Sequence, residues 1–477
     1  MDWLEYNDSI DDDNDGFRNI EDKIKYYQKI IRNPAKSKRE WPGVDIIETL
    51  VDYCVSTEKY KDALEFCNIW TDYLPDSYEA HHKKAVIFYQ LNSPGQALRS
   101  INEAERLAPA DNEVLLTKAL VLERTGNAKI GLDLLNNILS TEPGNEEALF
   151  RKSLLLQSLG RFREALDILK YLDNISFNPD EIWQELANCY QSLENYSEAE
   201  HYYIKALDLK PMDHLIWYNL GVMFGNKGAS YRAMDCYLNC LALKNDFLAA
   251  LFNLGTMYTV EGRLIEAIEA YTEILNYSPN DIDTIYNLGS TYTDNKQYLS
   301  AIESYSKVLE LDPSYYQAYY SRGFCYDFLD NYEKALEDYN FALKYTPNSK
   351  YILQAKADLL YNMGRIYDSL SVYIQALELS PHDEHSLYDV AYIYYELKDY
   401  ANSEIYLNKI LDSSYSHSDA WYLLSKIYLK RDNIKKSLKC LVESIKIDST
   451  KYDEFKKDFP SICEEFLSYH AKLEKLI

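Results

Sequence analysis

Between positions 11 and 22 the sequence reads Asp-Asp-Asp-Asn-Asp-Gly-Phe-Arg-Asn-Ile-Glu-Asp. Carboxylates at the first, third and fifth loop positions (Asp11, Asp13, Asp15), glycine at the sixth and Asp22 at the twelfth follow the order in which a calcium loop presents its oxygen ligands. Against calcium stand Arg18 where an apolar anchor usually sits, aspartate in place of glutamate as the last ligand, and the lack of a partner loop. An acidic arm without fixed structure accounts for the same composition, because residues 1–16 carry a charge of −7 and no base. Cys236 and Cys240 lie one helical turn apart, and His382 and His385 neighbour Asp383 and Glu384. Neither set has the further histidines or cysteines that would complete a tetrahedral metal site. The eight cysteines form no CxxC pair and are expected to be buried free thiols. No serine, histidine or acid falls in a nucleophile elbow, a phosphate loop or a zinc-protease helix, so no catalytic residue and no cofactor is expected.

The remaining chemistry is that of recognition. Asn219, Asn253 and Asn287 recur at a spacing of 34 residues. A carboxamide both donates and accepts, so a row of them can pair with a peptide backbone whatever its sequence. Beside each is an aromatic residue, Tyr218, Phe252 or Tyr286, and Tyr320, Tyr388 and Tyr422 continue that series. Aromatic rings offer a large contact area with little rotamer freedom to lose.

The same period of 34 organises most of the chain. Counted from Val44, the twentieth place of each unit is small in all twelve copies: Ala63, Ala97, Gly131, Ala165, Ala199, Ala233, Ala267, Ala301, Ala335, Ser369, Ser403 and Ser437. The eighth place is small in eleven of twelve, Val51 being the exception, and the eleventh is large in eleven. Eight of the thirteen prolines share the thirty-second place. Small residues let two helices approach closely, large ones fill the space beside the contact, and proline ends the second helix of each pair. Each unit therefore reads as helix, turn, helix, and twelve of them run from 44 to 451.

This pattern resembles the tetratricopeptide repeat family. Trp183, Leu186, Ala187, Tyr190, Ala199, Tyr203, Ala206 and Pro211 match its key positions, and Trp217, Leu220, Gly221, Phe224, Ala233 and Tyr237 nearly repeat the match. The resemblance implies an all-α, right-handed superhelical solenoid of about twelve helix-turn-helix units, with first helices lining a concave groove. It places the fifth-place aromatics on that groove; partial burial against the neighbouring first helix is the competing expectation. The row Asn219, Asn253, Asn287 is similar to the asparagine ladder in the superhelix of the O-linked N-acetylglucosamine transferases, over three positions only. Glu185 and Ser321 interrupt it on either side, and the segment after 451 is too short for a glycosyltransferase domain. Asparagine merely tolerated beside the following Leu-Gly pair is the alternative. The family's clamp for a terminal carboxylate is not matched, since Lys83 and Arg151 stand alone.

Flanking segments are expected to protect the ends of the array: residues 17–43 as a capping helix and connector, residues 452–477 as a C-terminal capping helix, with residues 1–16 an acidic arm. The chain carries 50 basic and 76 acidic residues, a net charge of −26. That balance disfavours nucleic acid and anionic membranes and suits basic or neutral peptide segments of partner proteins. Second-place acids Glu79, Glu113, Glu147, Glu181, Asp283 and Asp419 add to it at the groove edge, or simply complement helix dipoles. Lacking a signal pattern and any long apolar run, the chain is expected to be cytoplasmic. The sequence thus points to a non-catalytic interaction scaffold. A self-assembling structural element, a calcium-responsive adaptor and an enzyme with a site in the groove are the alternatives.

Overall fold

A computed structural model describes residues 20–32, 42–175 and 179–460. All of its 26 elements are helices. Asp11, Asp13 and Asp15 lie outside the described residues, as do most of the connector before Gly43 and the apolar series from Ile462 to Leu473. Asp22 falls in the first turn of the helix Ile20–Ile31.

Each 34-residue unit folds as an antiparallel pair, for example Tyr316–Phe328 and Tyr332–Tyr345 in repeat nine. Sequence sets both ends. The last residue of a unit often caps the next first helix: Asp111 accepts from Val114 N–H, Asp281 from Thr284 and Asp383 from Ser386. Between the two helices, the fifteenth place always adopts positive φ, from Glu58 (58°) to Asp432 (56°), with glycine in five of the repeats. Small twentieth-place residues are fully buried, as at Ala301 and Ala335, where the two helices of a pair cross.

Contacts divide the described chain into two compact units at Gly228/Ala229, inside repeat six. In the first, helix Ile20–Ile31 covers repeat one: Ile24 joins the cluster of Ile47, Leu50 and Phe66, while Arg32 pairs with Glu65 at 2.7 Å and Lys59 with Glu21 at 2.7 Å. Repeats two to five then stack, with first helices touching one another in succession. In the second unit the first helices of repeats eight to ten, and of eleven and twelve, do the same, and Thr450–Asp458 closes the stack by burying Phe455 against Tyr422 and Leu441. Successive second helices make no comparable contact in either unit among the described residues. The first helices therefore lie on the inner side of each stack, and their outward-facing positions form its inner face.

Candidate functional site

Tyrosines at the twenty-fourth place set the floor of the inner face. Tyr203, Tyr271, Tyr305, Tyr339 and Tyr373 are buried between the paired helices. Their hydroxyls reach past the first helix toward its inner side. Tyr203 donates to Asn188 at 2.6 Å, Tyr271 meets Thr256 at 3.2 Å, Tyr305 meets Thr293 at 3.2 Å, and Tyr373 donates to Asp358. Those partners stand at the ninth or twelfth place. Tyr339 makes no such bond: the ninth place in its repeat is Phe324, which cannot accept, and its buried hydroxyl does not bond to Asp327 at the twelfth. Burial raises the pKa of every one of these hydroxyls, so they act as donors and acceptors, not as anions.

The fifth-place aromatics sit directly above. Phe252 meets Tyr271 edge to face at 5.8 Å, Tyr286 meets Tyr305 at 5.6 Å, and Tyr320 meets Tyr339 at 6.0 Å. Tyr286 also reaches the next repeat, its hydroxyl 3.3 Å from Ser321. Tyr218, Phe252, Tyr286, Tyr320 and Tyr388 are half-buried, neither free in a groove nor lost to packing. Half-burial of this kind is what partial packing against the neighbouring helices gives, and it leaves part of each residue exposed. Tyr422 differs. It is only 6% exposed and its hydroxyl donates to Asp458 at 2.9 Å, because the terminal helix covers it. Asn219, Asn253 and Asn287 are half-buried, each next in sequence to its ring. Within the second unit, Asn253 and Asn287 occupy the same place on the first helices of consecutive repeats.

Around Tyr388 and Tyr422 the second unit holds a cleft of about 350 Å³ lined also by Tyr392, Asp419, Lys426, Glu454 and Asp458. Most of its charges are already paired. Lys426 contacts Asp458 at 3.0 Å and lies 5.2 Å over the Tyr422 ring, and Lys451 joins Asp419 at 2.8 Å to Glu454 at 2.9 Å.

Three further carboxylates on the inner face escaped the column-by-column reading. Asp327, Asp358 and Asp389 occupy the twelfth, ninth and sixth places of repeats nine, ten and eleven, stepping back three places per repeat. No single column contains them, but a diagonal count would have. Burial raises the Asp327 pKa and the neighbouring Asp358 raises it further. Asp389 is pushed up to about 6 by burial, with Asp358 raising it and His385 opposing. His385 Nδ1 is 2.7 Å from Asp389 Oδ2, but off the direction of a hydrogen bond, leaving that oxygen without one.

Metal readings gain nothing among the described residues, where no group of three or more histidine, cysteine, aspartate or glutamate side chains could hold an ion. Seven cysteines among the described residues are buried and form no disulfide, and burial pushes the thiols of Cys54 and Cys440 up to about 11 and those of Cys67 and Cys189 to about 12. No described helix is long and apolar enough to cross a membrane.

Models of the tetratricopeptide repeat match residues 181–213, 248–281, 316–349, 355–414 and 418–451, and a model described as TPR repeat matches 289–326. The chain is a tetratricopeptide repeat protein. Tetratricopeptide arrays are protein–protein interaction scaffolds, and the chain is one in that general sense. No curated protein matches it. Among solved structures, MamA protein is 23% identical over 35% of this chain and 92% of its own, with a TM-score of 0.34. The Cut9 and Hcn1 hetero-tetramer of the APC/C is 12% identical over 87% and 96%, at 0.40. A human IFIT1 dimer with m7Gppp-AAAA is 16% identical over 78% and 90%, at 0.39. Nothing about partner or ligand passes from such distant likenesses to this tetratricopeptide repeat protein.

Proposed function

We propose that this protein is a non-catalytic, cytoplasmic adaptor that holds an extended peptide or a helix of another protein along the inner face of its first helices. The observation that supports this reading most is the pairing of half-exposed rings with adjacent carboxamides in successive repeats, Phe252 with Asn253 and Tyr286 with Asn287. Rings held from below by buried tyrosines are fixed in orientation before a partner arrives, which reduces the entropy lost on binding. Each repeat adds a small contact, and the stack sets their spacing. Replacing Asn219, Asn253 and Asn287 by alanine, followed by crosslinked affinity purification of the intact chain, tests the reading. A partner lost from the folded variant supports it; an unchanged set of captured proteins refutes it.

A further inference from the structure

Several acids on or beside the first helices of the second unit have a basic partner. Asp338 takes two hydrogen bonds of 2.8 Å from Arg322, Asp383 pairs with Lys350 at 2.7 Å, Asp419 with Lys451 at 2.8 Å and Asp458 with Lys426 at 3.0 Å. The diagonal of Asp327, Asp358 and Asp389 breaks this habit. Among the described residues, neither Asp327 nor Asp358 forms an ion pair, and Asp389 has only the exposed His385. Their charges act on one another instead, Asp358 on both of its neighbours.

An acidic row alone would say little, but a second observation lies beneath it. The Tyr339 side chain is fully buried, and its hydroxyl is the one in the floor series that lacks a partner. It stands within the field of both Asp327 and Asp358, and the hydroxyl of Tyr320 within that of Asp358. Folded alone, the protein thus leaves the buried Tyr339 hydroxyl unsatisfied beside three carboxylates that have no lysine or arginine partner among the described residues; of these, Asp358 accepts from Tyr373 and Asp389 meets only His385. Each is a standing cost to stability that a ligand of the right charge would remove. Rings flank the row: Tyr320 and the exposed Phe324 at one end, Tyr361 in the middle and Tyr392 at the other. Carboxylates beside aromatic faces suit lysine or arginine, whose charged heads pair with the acids while their stems or guanidinium planes lie on the rings. Because the acids are spread along three successive helices and form no metal-binding group, a chain of separated cations fits them better than one compact ion.

We propose that Asp327, Asp358 and Asp389, with the Tyr339 hydroxyl below them, form the subsite of repeats nine to eleven that takes a basic, extended peptide segment of the partner. This rests on the peptide-binding reading given above. The test uses the intact chain to select from a phage-displayed library of random twelve-residue peptides. Selected peptides are then measured by fluorescence anisotropy against Asp327→Asn/Asp358→Asn/Asp389→Asn. The control variant is Asp208→Asn/Glu273→Gln/Glu310→Gln, which removes the same charge from exposed positions on second helices. Peptides enriched in arginine and lysine that bind the diagonal variant at least tenfold more weakly, yet bind the control variant as they bind the parent, support the proposal. Basic peptides weakened equally by both variants overturn it, since net charge alone would then explain them. Selected peptides that are not basic, or that ignore the diagonal variant, overturn the subsite but leave the groove reading standing. Recovery of no peptide overturns both. Removing mutually repelling acids should leave the melting temperature no lower than the parent's, and Asp358→Asn alone, at an exposed position, repeats the measurement should the triple variant fold poorly.

Discussion

Repeats two to four, in the first unit, carry alanine or serine at the eighth place above Ile101, Leu135 and Leu169 at the twenty-fourth. Repeats seven to nine, in the second, carry glycine there above Tyr271, Tyr305 and Tyr339. Both arrangements fill the same gap between paired helices with different volumes. A Cβ added at Gly255, Gly289 or Gly323 would stand 2.9 Å from the tyrosine ring, which is inside contact distance. Repeat one shows the opposite extreme, with Val51 above Cys67. The exchange of volume brings a difference in chemistry. Aliphatic residues end inside the core, whereas tyrosines carry a hydroxyl through to the inner face. The first unit's inner face ties its own polar groups across neighbouring repeats, Lys83 to Asp52 at 2.6 Å, His82 to Thr117 at 2.7 Å and Gln157 to Glu185 at 2.9 Å. The second unit also ties polar groups across repeats, Lys350 to Asp383 at 2.7 Å and Lys426 to Asp458 at 3.0 Å, but beside them it carries Asp327 and Asp358, which form no ion pair among the described residues. One repeat pattern thus supports inner faces of different side-chain chemistry.

The largest effect expected comes from the seventh place, where both units have a cation. Arg322, itself half-buried, pairs with Asp338, whose side chain is only 5% exposed, while Lys118 pairs with Glu105, an acid that is 28% exposed. The two partners of the buried pair respond in different senses. Hydrogen bonding raises the Arg322 pKa, which marks a favoured ion pair, yet burial outweighs the arginine and raises that of Asp338. The two parallel 2.8 Å bonds argue that the pair is charged. Arg322→Met strands the acid and should cost about 3 kcal/mol at neutral pH, measured as local opening by hydrogen exchange in repeat nine. Lys118→Met should cost less than about 1 kcal/mol. Equal losses would mean that the two units do not differ in how they bury charge.

Next in size is the coupling of the eighth and twenty-fourth places. Gly289→Val should destabilise the second unit by about 2–3 kcal/mol through overpacking. Adding Tyr305→Cys, which reproduces the Val51 and Cys67 pair of repeat one, should recover part of that loss. The double variant would then be less destabilised than the two single effects summed, and a denaturation midpoint for each of the three proteins decides it. Strict additivity would break the claim that the two units solve one packing problem with exchanged volumes. Ala187 above Tyr203 and Ala357 above Tyr373 show that one methyl can be absorbed, so valine is the sharper probe.

Much of this was legible in the chain. Columns of small and large residues gave the helical pairs because close helix crossings demand fixed residue sizes at fixed phases. The ring and carboxamide columns were visible for the same reason. Column counting could not reveal relations between places. That glycine at the eighth depends on tyrosine at the twenty-fourth, that Tyr422 is covered by the helix containing Asp458, and that three acids line up diagonally are facts about neighbouring helices, whose offset a single sequence does not state.

The acids give the third prediction. Asp389 holds its proton up to about pH 6 when folded, above the ordinary value of 3.8, because of burial and Asp358. His385 on its own helix opposes, Asp383 acts from the cap of that helix, and Tyr373 and Asp358 act from the preceding helices. A carboxylate with a raised folded pKa makes the folded state bind more protons than the unfolded one, so stability falls as pH rises from about 4 to about 6. Asp389→Asn removes that titration. The variant should gain about 1–2 kcal/mol over the parent at pH 7 and little at pH 4.5, seen in parallel thermal melts. Burial also raises the pKa of Glu185 on the first unit's inner face, so the contrast is with Asp52, which is ion-paired to Lys83; a comparable gain for Asp52→Asn would erase the distinction between paired and unpaired acids.

The smallest effect should be indifferent to the two units. The turn inside every repeat places its fifteenth residue at positive φ, with glycine in five repeats and a residue bearing a Cβ in seven. Lys398 sits at 60° and Gly364, one repeat earlier, at 74°, so backbone geometry is shared while residue type is not. A Cβ in the left-handed region clashes with the following carbonyl at a cost of roughly 1–2 kcal/mol, against which glycine loses more chain entropy on folding. Lys398→Gly should therefore gain at most about 1 kcal/mol, and Glu58→Gly in the first unit the same, while Gly364→Lys should lose a similar amount. Because only five of the twelve positions are glycine, the column looks random in the sequence although its backbone is the most uniform feature of the fold. Unequal gains at 58 and 398 would show that the units differ in their turns as well as in their faces, and the contrast drawn from the eighth and twenty-fourth places would then be one symptom of a wider divergence.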